Sequence, residues 1–133
     1  MRPEMEALRS ALAGVSTRPA FLVLAPSGQE APYYLIEPVW AARPYDVPLT
    51  GDLSAWSATV RIKAVGVTVE QAMTHLAAAR DALCPDGRRG YLTAPGRSVV
   101  VLFERHEADY VDLDVTPPKF LSVDTVRIES VPA

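Results

Sequence analysis

Apolar and polar residues alternate most regularly between residues 55 and 66. A period of two is typical of a strand with one buried and one solvated face. The apolar side consists of Trp56, Ala58, Val60, Ile62 and Ala64, and the polar side of Ser57, Thr59, Arg61 and Lys63. Directly afterwards, Thr68 and Gln71 form a capping box, in which each side chain satisfies an amide that the helix start leaves free. The pattern therefore predicts a strand and then a helix from Thr68 until Pro85, which cannot continue it.

The apolar residues of that second helix form a stripe along one side, which predicts that the helix lies on a sheet. Its members are Val69, Ala72, Met73, Leu76, Ala79 and Leu83. A shorter amphipathic helix is predicted over residues 3–14, because apolar residues recur there at helical spacing. Residues 33–40 are rich in aromatic and β-branched residues and predict a strand, while residues 21–24 fit either a brief strand or a buried loop.

The C-terminal third is dominated by strand patterns. We predict strands over residues 98–106 and 110–115, with a hairpin connection over residues 107–109. Residues 120–131 form the last predicted strand, whose apolar positions change phase as a β-bulge near Asp124 would require. The stretches 41–53 and 85–97 are rich in Pro and Gly and are predicted to be long loops.

This order of elements favours an α+β fold made of a single domain over residues 1–133. We expect a mixed, largely antiparallel sheet of four to five strands with two helices packed on one face. Two helices can cover only that face, so the apolar run over residues 99–103 has to expose alternate side chains on the other. Leaving two or three such side chains in water costs several kcal/mol, roughly 25 cal/mol per Å². We therefore expect a second copy of the chain to cover this run, and its residues are the predicted subunit interface: Val99, Val100, Val101, Leu102 and Phe103.

Composition narrows the classes of function. The chain of 133 residues has a formal net charge of -3, which provides no broad cationic surface for nucleic acid or anionic lipid. Its single cysteine, Cys84, excludes an internal disulfide and favours a reducing compartment. The acidic N-terminus does not resemble a signal peptide, and no apolar run approaches the roughly 20 residues that span a bilayer. We expect a protein that is neither exported by that route nor embedded in a membrane.

Residues that usually carry catalysis are few. His75 falls on the polar side of a helix, where a solvated histidine is a stronger interpretation than a catalytic one. Cys84 precedes Pro85 at a helix end, where a half-buried thiol is a stronger interpretation than a nucleophile. His106, Glu107 and Asp109 could contribute to a metal site, but a second cluster to complete it is missing, so a hairpin turn explains them better. We therefore predict a protein that is not an enzyme, with no catalytic, cofactor-binding or metal-binding residues.

The segment VGVTVEQA over residues 65–72, continued by LAAARDAL over residues 76–83, resembles tail terminator proteins of long-tailed bacteriophages. The preceding helix, aromatic strand and Pro/Gly loop agree with this family over residues 3–83. The resemblance implies a homo-oligomeric ring, typically a hexamer, that closes the tail tube and joins it to the head. Its partners would be the tail tube protein and a head-completion or connector protein, and DNA would pass through the lumen without specific binding.

In that family picture the protein belongs to the virion tail after synthesis in the bacterial cytoplasm. The two long loops then resemble contacts with the tube or the head, with these candidate residues: Arg43, Tyr45, Asp46, Arg88 and Arg89. Two alternatives remain open from the sequence. One is a head-completion or adaptor protein of the head–tail connector, and the other is a small ligand-binding or enzymatic α+β domain, which a deep pocket containing His75 or His106 would favour.

Overall fold

The computed structural model describes residues 3–15, 19–39 and 55–133. Their helices and strands occur in the order α1 (Pro3–Ala13), β1 (Ala20–Leu22), β2 (Tyr33–Pro38), β3 (Trp56–Gly66), α2 (Val69–Leu83), β4 (Arg89–Ala94), β5 (Arg97–Asp112) and β6 (Lys119–Pro132). Both predicted helices and the strand after residue 55 are confirmed. The brief strand that the sequence left open is formed by Ala20–Leu22.

All six strands belong to one sheet in the order β1-β2-β3-β6-β5-β4. β1 and β2 are parallel and every other neighbouring pair is antiparallel. The sheet curls, so that α1 contacts both end strands, β1 and β4, while α2 packs across β3 and β6. The α+β class and the largely antiparallel sheet are confirmed, with six strands where four to five were expected, because β1 and β4 were not counted and β5 was predicted as two strands.

A single core lies between the sheet and the two helices. The strand side that faces the helices, called the helix face here, contributes Ile36, Val60, Ile62 and Ile128, each at most 1% exposed. α1 contributes Leu8 and Leu12, and α2 contributes Leu76, Ala79 and Leu83. Two members of the predicted α2 stripe, Val69 and Met73, are instead exposed, at 42% and 49%. The sheet surface that points away from the helices is called the outer face below.

The start of α2 follows the capping box that the sequence predicts. The amide of Gln71 donates to the Thr68 hydroxyl at 3.1 Å, and the Gln71 side-chain oxygen accepts from the amide of Val67 at 2.7 Å. Gly66 allows this tight turn, because a Cβ there would lie 2.7 Å from the amide nitrogen of Ala72. The helix therefore begins at a position fixed by local chemistry.

The predicted loop over residues 85–97 is wrong, since β4 occupies Arg89–Ala94. Asp86 closes a tight turn by accepting hydrogen bonds from the amides of Arg88 and Arg89, at 2.8 and 2.7 Å. The chain then enters the sheet at Gly90, where a Cβ would stand 1.7 Å from the carbonyl oxygen of Leu83. Gly90 is thus required for close contact between β4 and the end of α2, and it is not a loop residue.

The predicted hairpin over residues 107–109 is also wrong, because β5 runs without interruption through Arg97–Asp112. Its pairing with β6 shifts register between Phe103 and Arg105 and again between His106 and Ala108. The predicted bulge in the last strand near Asp124 is therefore wrong, because the extra residues, Glu104 and Glu107, belong to β5. β6 itself pairs with β3 in continuous register.

Candidate functional site

The apolar run of residues 99–103 divides between the two faces of the sheet. Val99 and Val101 lie on the helix face and are 2% and 0% exposed, and Phe103 packs partly against the same core. Val100 and Leu102 lie on the outer face and are half-buried. The helices already cover the side chains of Val99 and Val101, so a neighbouring subunit could not reach them. These two residues are therefore removed from the predicted subunit interface. A subunit contact over Val100 and Leu102 stays a prediction.

Two more exposed apolar side chains lie near these two residues on the outer face. Antiparallel pairing places Tyr91 beside Val100, and Val131 lies diagonally across from Val100 on β6, next to Glu129 and Ser98. Tyr91 is 73% exposed and Val131 is 50% exposed. The four residues Tyr91, Val100, Leu102 and Val131 are called the outer patch below.

The outer patch lies where the sheet ends. β4 is the last strand in the sheet order, so its outer edge has no strand partner among the described residues. Arg88 and Arg89 are exposed at the start of this strand, and Arg89 pairs directly with Leu102. Neither guanidinium forms an ion pair within the described ranges. Apolar side chains, an open edge and two exposed cations thus occur together.

The centre of the outer face carries ion pairs instead of apolar side chains. Arg61 contacts Glu107 at 3.0 Å and Glu37 at 3.7 Å, and Lys63 contacts Glu37 at 2.9 Å. The guanidinium groups of Arg61 and Arg105 both contact Glu107, at 3.0 and 3.3 Å. This part of the sheet tolerates water, so exposed apolar surface is confined to the ends of the face.

At the far end of the outer face, the chain covers itself. Leu24 and Pro26 line the same groove as Val65 and Leu121. Val65 is 1% exposed although it points away from both helices. Lys119 closes this end by donating from its ammonium group to the hydroxyl of Tyr33 at 3.1 Å. The loop after β1 therefore shields Val65 at this end, whereas Leu24 and Tyr110 in the same groove stay 75% and 43% exposed.

A polar cluster on the helix face joins α2, β5 and β6. Asp124, 2% exposed, accepts two hydrogen bonds from Arg80, at 2.8 and 2.7 Å. His106 places Nδ1 2.9 Å from Asp124 and Nε2 3.2 Å from Asp109. Ser122 donates to the other oxygen of Asp109. The four residues Arg80, His106, Asp109 and Asp124 are called the Asp124 cluster below.

Hydrogen bonds and opposite charges shift the pKa values of two members of this cluster, His106 and Asp109. The hydrogen bond to Asp124 raises the pKa of His106, and Asp109 raises it further. The hydroxyl of Ser122, followed by His106, lowers the pKa of Asp109. Arg80 also lies over the ring of Phe103, 4.9 Å from its centre. The cluster is therefore an internally neutralised link between a helix and two strands.

The space beside Asp124 does not suit a substrate. The cavity enclosed by α2, Phe103 and Asp124 measures about 10 Å³, roughly the room that one water needs. The open grooves between α1 and β4 and around Gly28 are lined by neither histidine. The arrangement holds α2, β5 and β6 together, and the enclosed space beside Asp124 has room for about one water.

Sequence reasoning missed this cluster. It assigned His106 and Asp109 to a turn and Asp124 to a bulge. The available signal was the alternation of β6, in which Ser122 and Asp124 share parity with the buried Val126. Polar residues at core positions require partners, and Arg80 of the facing helix is the cation that could supply one.

A second buried charge was also missed, at the start of α1. Glu4 is 0% exposed and lies 3.2 Å from the guanidinium of Arg97. Ser130 donates to Glu4 at 2.8 Å and accepts from Arg97 at 2.9 Å. These contacts fix α1 to the end of the sheet where β5 begins and β6 ends.

The remaining candidate residues have structural surroundings. Cys84 is buried, and burial raises the pKa of its thiol, which favours an unreactive group. The carbonyl of His75 accepts from the Tyr34 hydroxyl at 2.6 Å, and the two rings meet edge to face. In the described ranges, no group of three or more His, Cys, Asp or Glu side chains is placed to hold a metal ion. Neither described helix has the length and apolar character needed to cross a bilayer.

The two predicted contact loops have different outcomes. Arg88 and Arg89 are exposed at the turn between α2 and β4, beside the outer patch. Arg43, Tyr45 and Asp46 lie outside the described residues. Comparison with known proteins adds no family: no family model and no curated protein sequence matches this chain.

Proposed function

We propose that this chain is a structural protein of a bacteriophage tail, a tail terminator that assembles into a ring, six subunits being the typical number. The ring would close the tail tube and join it to the head through a head-completion protein. The proposal rests on the sequence resemblance over residues 65–83 together with one structural observation. That observation is the outer patch at the unpaired end of the sheet.

The outer patch supports self-association because water is its alternative. Fully burying one large apolar side chain contributes about 1.5–3 kcal/mol. Tyr91 and Val131 are 73% and 50% exposed, so covering both would contribute roughly 2–3 kcal/mol at each contact. A ring repeats the same contact at every subunit, so a modest contact becomes a large total. The exposed guanidinium groups of Arg88 and Arg89 would add selectivity for an acidic neighbouring surface.

The other features agree with a role without chemistry. The buried charged groups, Asp124 and Glu4, are occupied by cations and hydroxyls of the same chain. The acidic net charge of -3 suits a lumen through which DNA slides, because a strongly cationic channel would retain the phosphates.

The oligomeric state tests this proposal. We expect native mass spectrometry and sedimentation to detect one discrete oligomer, of six subunits, that persists on dilution. Tyr91→Glu combined with Val131→Glu places charge in the outer patch and should yield monomers with an unchanged circular dichroism spectrum. Thr74→Glu, on the exposed side of α2, is the matched control and should assemble normally. A wild-type protein that stays monomeric at tens of micromolar, or a double variant that still assembles, would contradict the proposal.

The place in the virion requires a separate test. Purified protein is mixed with tail tubes and, in parallel, with portal assemblies of the same particle. A tail terminator should bind one end of the tube, and its binding should be lost in the Tyr91→Glu, Val131→Glu variant. Binding to the portal alone would identify the protein as a head-completion adaptor instead.

A further inference from the structure

The C-terminal half of β5, residues 104–112, pairs with a neighbouring strand on one side only. β4 pairs with β5 only up to Leu102, so the stretch beyond Phe103 pairs with β6 alone. Both register shifts fall in this stretch, at Glu104 and Glu107, and each leaves a residue outside the ladder. Irregular edge segments of this kind are the parts of a sheet that open first. Something other than the ladder has to hold them.

His106 lies between the two shifts and contacts a carboxylate with each ring nitrogen. Nδ1 is 2.9 Å from Asp124, and Nε2 is 3.2 Å from Asp109. An ionised carboxylate only accepts hydrogen bonds, and a neutral imidazole has one donor nitrogen and one acceptor nitrogen. Only the imidazolium can donate to both carboxylates at once. The protonated form of His106 is therefore the one that satisfies both contacts.

Each of the two carboxylates also accepts hydrogen bonds from a further side chain. Arg80 of α2 donates twice to Asp124, and Ser122 of β6 donates to Asp109. Arg80 and His106 are the cations of the cluster and Asp109 and Asp124 its anions, so the four groups balance when the imidazole carries its proton. Loss of that proton leaves one net negative charge and sets a ring lone pair against a carboxylate oxygen.

We propose that His106 is a pH-sensitive latch. In its protonated form it bridges the bulge at Glu107 and holds the C-terminal half of β5 against β6 and, through Arg80, against α2. Above the pKa of His106 one of its two carboxylate contacts is lost, and the strand from His106 to Asp112 opens more readily. The inference goes beyond the proposed function and does not depend on it, because it concerns the opening of one strand within a single chain.

The sign of the effect follows from linkage. The pKa of His106 is raised in the folded protein by Asp124 and Asp109, so the fastening is complete below the ordinary histidine pKa, near 6.5. It is lost as the pH rises through the higher folded-state value. The side chain is 38% exposed, so the effect is that of a partly solvated ion pair. We expect a change of roughly twofold to fivefold in the opening equilibrium.

Proton NMR on the full chain tests the latch. The chain has only two histidines, so His75→Gln assigns the imidazole signal of His106. We expect His106 to titrate above 6.5, and we expect protection of the β5 amides between residues 106 and 112 to fall across that titration, after correction for intrinsic exchange. Amides of β5 before Leu102, which pair on both sides, are the internal control and should not change.

Asp109→Asn is the matched variant, because an amide can either donate to or accept from a neutral imidazole. It should lower the pKa of His106 and remove the pH dependence of protection while the fold is kept. The latch is refuted if His106 titrates at or below its ordinary value, if protection of residues 106–112 is constant across the titration, or if Asp109→Asn behaves like wild type.

Discussion

Removal of the Arg80 side chain tests the energetic role of the Asp124 cluster. Asp124 is 2% exposed, and Arg80→Ala removes two hydrogen bonds that it accepts, of 2.8 and 2.7 Å. Removing one partner of a buried ion pair costs about 3–5 kcal/mol. The Arg80 side chain is 35% exposed and His106 still donates to Asp124, so water and the imidazole recover part of this loss. We expect the free energy of unfolding to fall by about 2–3 kcal/mol.

Urea denaturation followed by circular dichroism measures this change. With a slope of about 1–3 kcal/mol per molar urea, the midpoint should fall by roughly 1–2 M. Arg80→Lys should recover only part of the loss, because an ammonium cannot reproduce the planar pair of hydrogen bonds. Arg9→Ala is the matched control: Arg9 pairs with Glu6 on the surface of α1, and its loss should cost under about 0.5 kcal/mol. Equal, small effects of Arg80→Ala and Arg9→Ala would refute the reasoning.

Three further substitutions probe the fold and are followed by the same denaturation experiment. Thr68→Ala removes the acceptor for the Gln71 amide and should cost about 1 kcal/mol, whereas no loss would mean that the cap is dispensable. Gly90→Ala would place a Cβ 1.7 Å from the Leu83 carbonyl oxygen and should cost more than about 2 kcal/mol, while Gly14→Ala, with contacts of 3.5 Å, should be tolerated. Val101→Ala leaves a cavity at a position that is 0% exposed and should cost about 2–3 kcal/mol of unfolding free energy. Val100→Ala, on the outer face, should cost under about 1 kcal/mol, and the reverse order would show that the two faces are misassigned.

The elements that the sequence predicts well are those whose signals are local. β3 alternates regularly between its faces, and the start of α2 depends on Thr68 and Gln71, only three residues apart. β4 was missed because its entry into the sheet depends on Gly90 meeting Leu83, a contact between two elements that the local pattern does not contain. The glycines and arginines of this segment resemble a loop until that contact is known.

The charged stretch within β5 illustrates why the site was harder to predict than the fold. Its charges resemble a hairpin turn, yet Glu107 bonds Arg61, which is 46 residues away, and His106 bonds Asp124, 18 residues away. Arg80 reaches Asp124 across 44 residues. Partners at such separations leave no spacing pattern in a single sequence, so these residues could be interpreted only by their local context.

The apolar second face that the sequence predicts is interrupted at the centre of the sheet by the ion pairs of Arg61 and Lys63. At its far end the loop after β1 shields Val65, although Tyr110 stays 43% exposed. The structural support for self-association therefore comes from the outer patch beside β4 and not from a whole face of the sheet. Because this contact is small, the proposed ring depends on how neighbouring subunits are oriented at the outer patch and not on covering a whole face of the sheet.

Negative-stain electron microscopy of the purified wild-type protein tests the proposed ring most directly. The proposal predicts closed particles of uniform diameter with a stain-filled centre, and their absence in the Tyr91→Glu, Val131→Glu variant. Isolated subunits, two-fold dimers without a lumen, or open filaments would contradict it.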